Sequence, residues 1–131
     1  MKRSGRLRRR AALVRSFSLT RSQMPRKRPQ RDPGEANARR LVRARSEGVC
    51  EVCSSAMATN YQHRLPVGGG GPWSASNGLA VCGHGNLSGC HGRIHRNPSE
   101  AYARGWSVRR GQDPAAVPVQ HACYGLVHLT D

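Results

Sequence analysis

"LAVCGHGNLSGCHGRIHRNP", residues 79–98, contains a short apolar run, a glycine-rich turn and a helical pattern in succession. Leu79 to Val81 reads as a short strand. A helix is expected from about Cys90, ended by Asn97 because the residue before a proline is pushed out of helical geometry. Ser99 then caps a further turn or two through Arg104, stopped by Gly105. His91 and His95 lie four residues apart, slightly more than one helical turn, so they share a face and are close enough to hold one cation. Cys82 and Cys90 bracket the turn, each at the edge of an expected element.

"GVCEVCSSAMATNYQHRLP", residues 48–66, opens on Cys50-x2-Cys53 and runs into a short strand-like stretch. "VGGGGPWSASNG", residues 67–78, is a loop by its glycines, its proline and Asn-Gly. A two-residue gap lets both thiolates of Cys50 and Cys53 turn toward one ion, and Cys82 with Cys90 supply the other half of a structural zinc site. Three glycines and a histidine fill the gap between Cys82 and Cys90, so that gap can loop out while its ends stay together. His84 is the alternative fourth ligand. The bland alternative is four reduced, unbound thiols, against which stand the CxxC pair and the thin core. Cys123 is expected to be a small buried residue. A finger built from Cys50, Cys53, His91 and His95 fits the pair spacings. It is disfavoured because 37 residues separate its halves where about a dozen are usual.

Composition bounds the rest. The chain has 131 residues, 37% of them apolar, with one Phe, two Trp and three Tyr against fifteen Gly and eight Pro. So lean a core calls for a staple such as a metal. No stretch is long and apolar enough to span a membrane, and a reducing, cytoplasmic setting is the expectation for clustered cysteines. The net charge of +15 points to a polyanion, most simply nucleic acid. Residues 1–33 hold twelve of the 22 basic residues and one acid, so the basicity is concentrated in an N-terminal tail. That tail reads as a disordered phosphate-binding arm, as a transit peptide, or as sequence upstream of a true start at Met24. "DPGEANARRLVRARSEG", residues 32–48, reads as a helix with Asp32 as cap, Pro33 in the first turn and Gly48 as stop. Ala38, Leu41, Val42 and Arg45 fall on one stripe of it, and docking is preferred over DNA contact as its role. The domain is expected to run from 34 to 110, followed by a short β extension over 111–131.

The histidines carry the functional question. A catalytic divalent ion needs a few protein ligands and open positions for water and phosphate. His91 and His95 offer two ligands, and His63 in "YQHRLP" suits a general base because imidazole titrates near neutrality. Asn77 can bridge backbone groups and hold the glycine-rich loop against the strand carrying His63. An unpartnered histidine on a strand is, however, commonly structural.

As an ordered set from Cys50 to about Pro98, CxxC, "QHRLP", "GGPWSASNGLAVC" and "CHGRIH" resemble the HNH endonuclease family. The wording is closest to zinc-knuckle HNH proteins of actinobacteria and their phages. The resemblance implies an α+β fold of the ββα-metal type, with a catalytic divalent ion (Mg2+, Mn2+, Ni2+ or Zn2+) beside the zinc knuckle, and hydrolysis of a DNA phosphodiester. By position, His63 is then the base, Asn77 the loop-fixing asparagine, and His91 and His95 metal ligands. Gln62 stands where the family usually has a further ligand, Asp or His, and an amide oxygen is a weaker donor. Imidazole pairs suit Mn, Ni, Co or Zn better than Mg. Arg64, Arg93 and Arg96 are candidates for flanking phosphates, with ordinary solvated surface as the equal alternative, and Trp73 is expected to pack on the knuckle. The family context suggests phage DNA processing or packaging beside a terminase. The rival from another class is a zinc-ribbon nucleic-acid-binding protein without hydrolysis, in which His63 is dispensable; a third is a degenerate HNH scaffold that partners another phage enzyme.

Overall fold

The computed structural model describes residues 30–131. The basic tail before Gln30, including Met24, lies outside the described residues. From Gln30 onward the chain forms a small mixed α/β fold with two hairpins and three short helices.

Helix α1 spans Pro33–Ser46. The Asp32 carboxylate accepts from the Gly34 N–H at 2.7 Å, Pro33 sits in the first turn, and Glu35 lies at the positive end of the helix dipole. The helix stops where Glu47 and then Gly48 adopt positive φ. Strands β1 (Asn60–His63) and β2 (Gly78–Val81) pair antiparallel, with Tyr61 opposite Ala80, Gln62 opposite Leu79 and His63 opposite Gly78. Helix α2 covers Gly89–Arg96 and α3 covers Pro98–Ala103. Ser99 lies inside α3 and Asn97 at its cap position, because Pro98 itself opens the helix.

The pleat of the first hairpin gives it two unlike faces. Leu79 and Val81 point into the main core with Cys50, Cys90 and Ile94, and Gln62 is buried on that side. Tyr61 and Ala80 point the other way, onto Val42 and Leu41 of α1. Strands β3 (Val119–His121) and β4 (Gly125–Val127) form a second hairpin. Val119 and Leu129 are buried in the same core as Leu79 and Trp106, so the C-terminal strands belong to this core and are not an appendage to a domain that ends at 110. Cys123 is exposed on their connection, because the turn lifts it out of the core that a small apolar residue would favour.

Arg64 fastens these parts together. Its side chain is fully buried, and its guanidinium donates to the carbonyls of Gly105, Ser76, Pro114 and Val117 at 2.6–2.9 Å. Burial, with the charge of Arg45 nearby, pulls its pKa down to about 10, which leaves it charged at neutral pH. The expectation that Arg64 meets phosphate is therefore corrected: the side chain is buried and its guanidinium is engaged by four main-chain oxygens inside the fold.

A candidate metal centre and a histidine pair

Four cysteines reach one point from three segments of chain. Cys50 and Cys53 come from the turn after α1, Cys82 from the end of β2, and Cys90 from the first turn of α2. Their sulfurs all lie within 4.8 Å of one another, and Cys53 Sγ is 3.9 Å from Cys82 Sγ. A tetrahedral ion bound at about 2.3 Å to each sulfur sets sulfur–sulfur distances of about 3.8 Å, so the arrangement fits one metal ion such as zinc. All five cysteines of the chain are free of disulfides.

The seven-residue gap between Cys82 and Cys90 closes by a pinch between two glycines. Gly83 and Gly89 both have positive φ, and a Cβ on Gly89 would stand 2.6 Å from the Gly83 Cα. Only glycines let the two backbones meet so closely. The His91 N–H also donates to the Cys82 carbonyl at 3.0 Å. His84 remains outside the cluster, its N–H bonded to Ser88 Oγ.

The thiols perturb one another as four acids sharing a small volume must. Burial raises Cys50 and Cys90, and for Cys90 the neighbouring thiols push the same way. Cys53 goes the other way: against the effect of burial, hydrogen bonds from Ser55 lower it to about 6. A bound divalent cation removes the conflict, since it stabilises every thiolate at once.

Beside this centre a buried ionic network spans α1, the CxxC turn and β3. Glu51, between the first two cysteines, takes the Arg45 guanidinium at 2.6 and 2.9 Å. It also accepts the Ala80 N–H at 2.7 Å and faces His121 Nε2 at 3.3 Å. Arg45 donates further to the carbonyls of Ala75 and Gly78. None of the three was a candidate from sequence. The available signal was a charged residue, Arg45, on the otherwise apolar stripe of α1.

Asn77 is fully buried and braces the long loop. Its Oδ1 accepts the Leu65 N–H at 2.7 Å, while its Nδ2 donates to the carbonyls of Leu65 and Pro72 at 2.9 Å. The amide thus ties the segment just after His63 to the loop that precedes β2.

His91 and His95 lie edge to face on α2, with ring centroids 4.8 Å apart. His91 Nδ1 contacts the Gly85 carbonyl, which selects the tautomer with the proton on Nδ1 and leaves Nε2 with its lone pair outward. Partial burial and the neighbouring His91 lower the pKa of His95. Both features suit neutral imidazoles that share a cation.

His63 is not with them. Its ring packs edge-on against Trp73 at 4.2 Å and Tyr61 at 4.9 Å, on the α1 side of the hairpin. Burial and then the charge of Arg39 lower its pKa, and its Nε2 is buried without a hydrogen-bond partner. Gln62 is on the opposite face, its amide donating to the His63 carbonyl. Among the described residues, the four cysteines are the only group of three or more Cys, His, Asp or Glu side chains placed to share an ion. Trp73 packs on His63, Tyr61 and the Arg39 guanidinium, and not on the knuckle, because the loop from Asn77 lays it against α1.

The other two arginine candidates are exposed but occupied. Arg93 pairs with Glu100 and lies over the Trp106 ring, and Arg96 donates to the Leu87 carbonyl. No helix among the described residues is long and apolar enough to cross a membrane. Comparison with family models, with curated proteins and with solved structures gave no match.

Proposed function

We propose that this chain is a metal-dependent HNH-type endonuclease that hydrolyses or nicks DNA phosphodiester bonds and uses a zinc ion on Cys50, Cys53, Cys82 and Cys90 as its structural staple. The observation that carries the reading is Asn77. Its amide bridges Leu65 and Pro72, the bracing that the HNH resemblance assigns to the asparagine between base and metal ligands. The paired imidazoles of His91 and His95 on α2 add support.

In this reading His91 and His95 hold a divalent cation, which supplies charge stabilisation at phosphorus and at the leaving 3′ oxygen. With two imidazoles and the weak amide of Gln62, the site favours Mn2+, Ni2+ or Zn2+ over Mg2+. His63 is held neutral by its burial against Trp73 and can therefore accept the proton of an attacking water. That role requires the imidazole on the α2 side of the hairpin, whereas its ring lies on the α1 face against Trp73 and Tyr61. DNA in a bacterial or phage-infected cytoplasm, with a terminase as neighbour, is the setting that the family resemblance adds.

The position of His63 favours a second reading, a zinc-knuckle nucleic-acid-binding protein without hydrolysis. There the histidine only fills space beneath Trp73. A supercoiled-plasmid nicking assay across divalent metals separates the two. Metal-dependent nicking that falls at least about 100-fold in both His63→Ala and His95→Ala is the expected result. Intact plasmid with every metal, while DNA binding persists, establishes the binding module.

A further inference from the structure

A groove of about 690 Å³ runs between α1 and β1, on the opposite side of the hairpin from α2. Its floor is Val42, Ala58 and Ala80, and four arginines line it: Arg31, Arg39, Arg40 and Arg43. Two acids line it as well, but both are engaged. Asp32 caps the helix through the Gly34 N–H, and Glu35 holds Arg39 at 2.8 Å.

Arg31, Arg40 and Arg43 have no carboxylate within ion-pair distance; Arg40 donates only to the neutral Asn37 Oδ1. The residues outside the described range cannot alter this, since residues 1–29 contain no Asp or Glu. Exposed guanidiniums with no carboxylate partner beside an apolar floor are complementary to a chain of phosphates. Arg39 already lies over the rings of Tyr61 and Trp73, at 5.4 and 4.9 Å, so the wall next to β1 is stiff and flat.

We infer that this groove holds the phosphate backbone of a DNA strand, with Arg40 and Arg43 as phosphate contacts and Arg31 at one end. The contact is separate from the His91/His95 face and does not depend on hydrolysis, so it holds equally for a nuclease and for a binding module. It gives α1 a binding role in addition to its docking role. An acidic peptide is the competing occupant.

The test is fluorescence anisotropy of the zinc-loaded full chain with a short duplex, without added divalent metal, over a series of potassium chloride concentrations. Each phosphate contact contributes about 0.9 to the slope of log K against log salt. The Arg40→Gln/Arg43→Gln double variant is therefore expected to flatten the slope by about 1.8. Arg109→Gln/Arg110→Gln removes the same charge from an exposed site elsewhere and is expected to change the slope far less. Both arginine pairs are exposed, and Gln keeps helix propensity, so matching thermal melts report an intact fold. Equal slopes for the two double variants, or no change from wild type in the first, would overturn the inference. So would polyglutamate that competes with DNA for wild type at equal charge and loses that ability in Arg40→Gln/Arg43→Gln, since the occupant would then be an acidic peptide.

Discussion

The cysteines and the histidines of this chain present two kinds of site. Four thiols from three segments meet within one small volume, whereas three histidines with comparable sequence credentials stay on two sides of a hairpin. The cysteines converge because each sits at a backbone corner fixed by hydrogen bonds: the turn after α1, the end of β2, the start of α2. His63 is at the end of a strand, where one step along the pleat decides which face its ring occupies. A site anchored at turns is specified by spacing, while a site on a strand is specified by register and rotamer as well.

The strongest way to break that comparison is to remove the metal. Chelation, or Cys50→Ser, is expected to abolish the cooperative thermal transition, because binding at such sites is worth about 10–16 kcal/mol of folding free energy. Circular dichroism on the treated chain, with metal content by elemental analysis, checks it. A sharp transition in metal-free protein would place the cysteines among ordinary core residues.

Next in size is Arg64→Met. Each buried carbonyl left without a donor costs about 1–3 kcal/mol, and four lose one here. Allowing for rehydration, the loss is about 4 kcal/mol, or about 20 °C in melting temperature for a domain of this size. If DNA affinity fell while the melting temperature held, Arg64 would be a phosphate contact after all.

Asn77→Ala sharpens the comparison from the histidine side. Removing three buried hydrogen bonds is expected to cost about 2–4 kcal/mol by urea titration. Mobility in the Leu65–Pro72 loop should reduce nicking more steeply than it reduces DNA binding. Equal losses in both would tie the asparagine to folding alone.

The smallest effect belongs to Arg93→Gln. Its ion pair with Glu100 is solvent-exposed, and solvent screening leaves such pairs little weight in stability. Little change in melting temperature is expected. Stability that moved strongly would show that its stacking over Trp106, 5.3 Å from the ring centroid, matters more than the charge pair.

Much of this molecule was legible before its structure. The caps and stop of α1, the loop through Asn-Gly, the second hairpin strand and the break at Asn97-Pro98 all follow from local backbone chemistry at Asp32, Gly48, Gly78 and Pro98. The pairing of Cys50 and Cys53 with Cys82 and Cys90 follows from ligand chemistry and from the glycines between the last two. Arg64 escaped because nothing local marks an arginine whose partners lie up to 53 residues away. Glu51 and His121 escaped for the same reason, being 70 residues apart. Trp73 was misplaced because a glycine-rich loop leaves its path undetermined until Asn77 pins it.

The reach of Arg64 bears on how the chain is made. Synthesis is vectorial, and the last carbonyl that the guanidinium needs, that of Val117, comes off the ribosome 53 residues after the arginine itself. Until then a charged group waits in a half-built interior beside the nascent hairpin, and closing it off early would bury it unpaired. The metal knuckle can assemble as soon as Cys90 emerges, but the body around it must wait for the C-terminal quarter. The contacts that close over Arg64 are thus available only once the C-terminal quarter of the chain has been made.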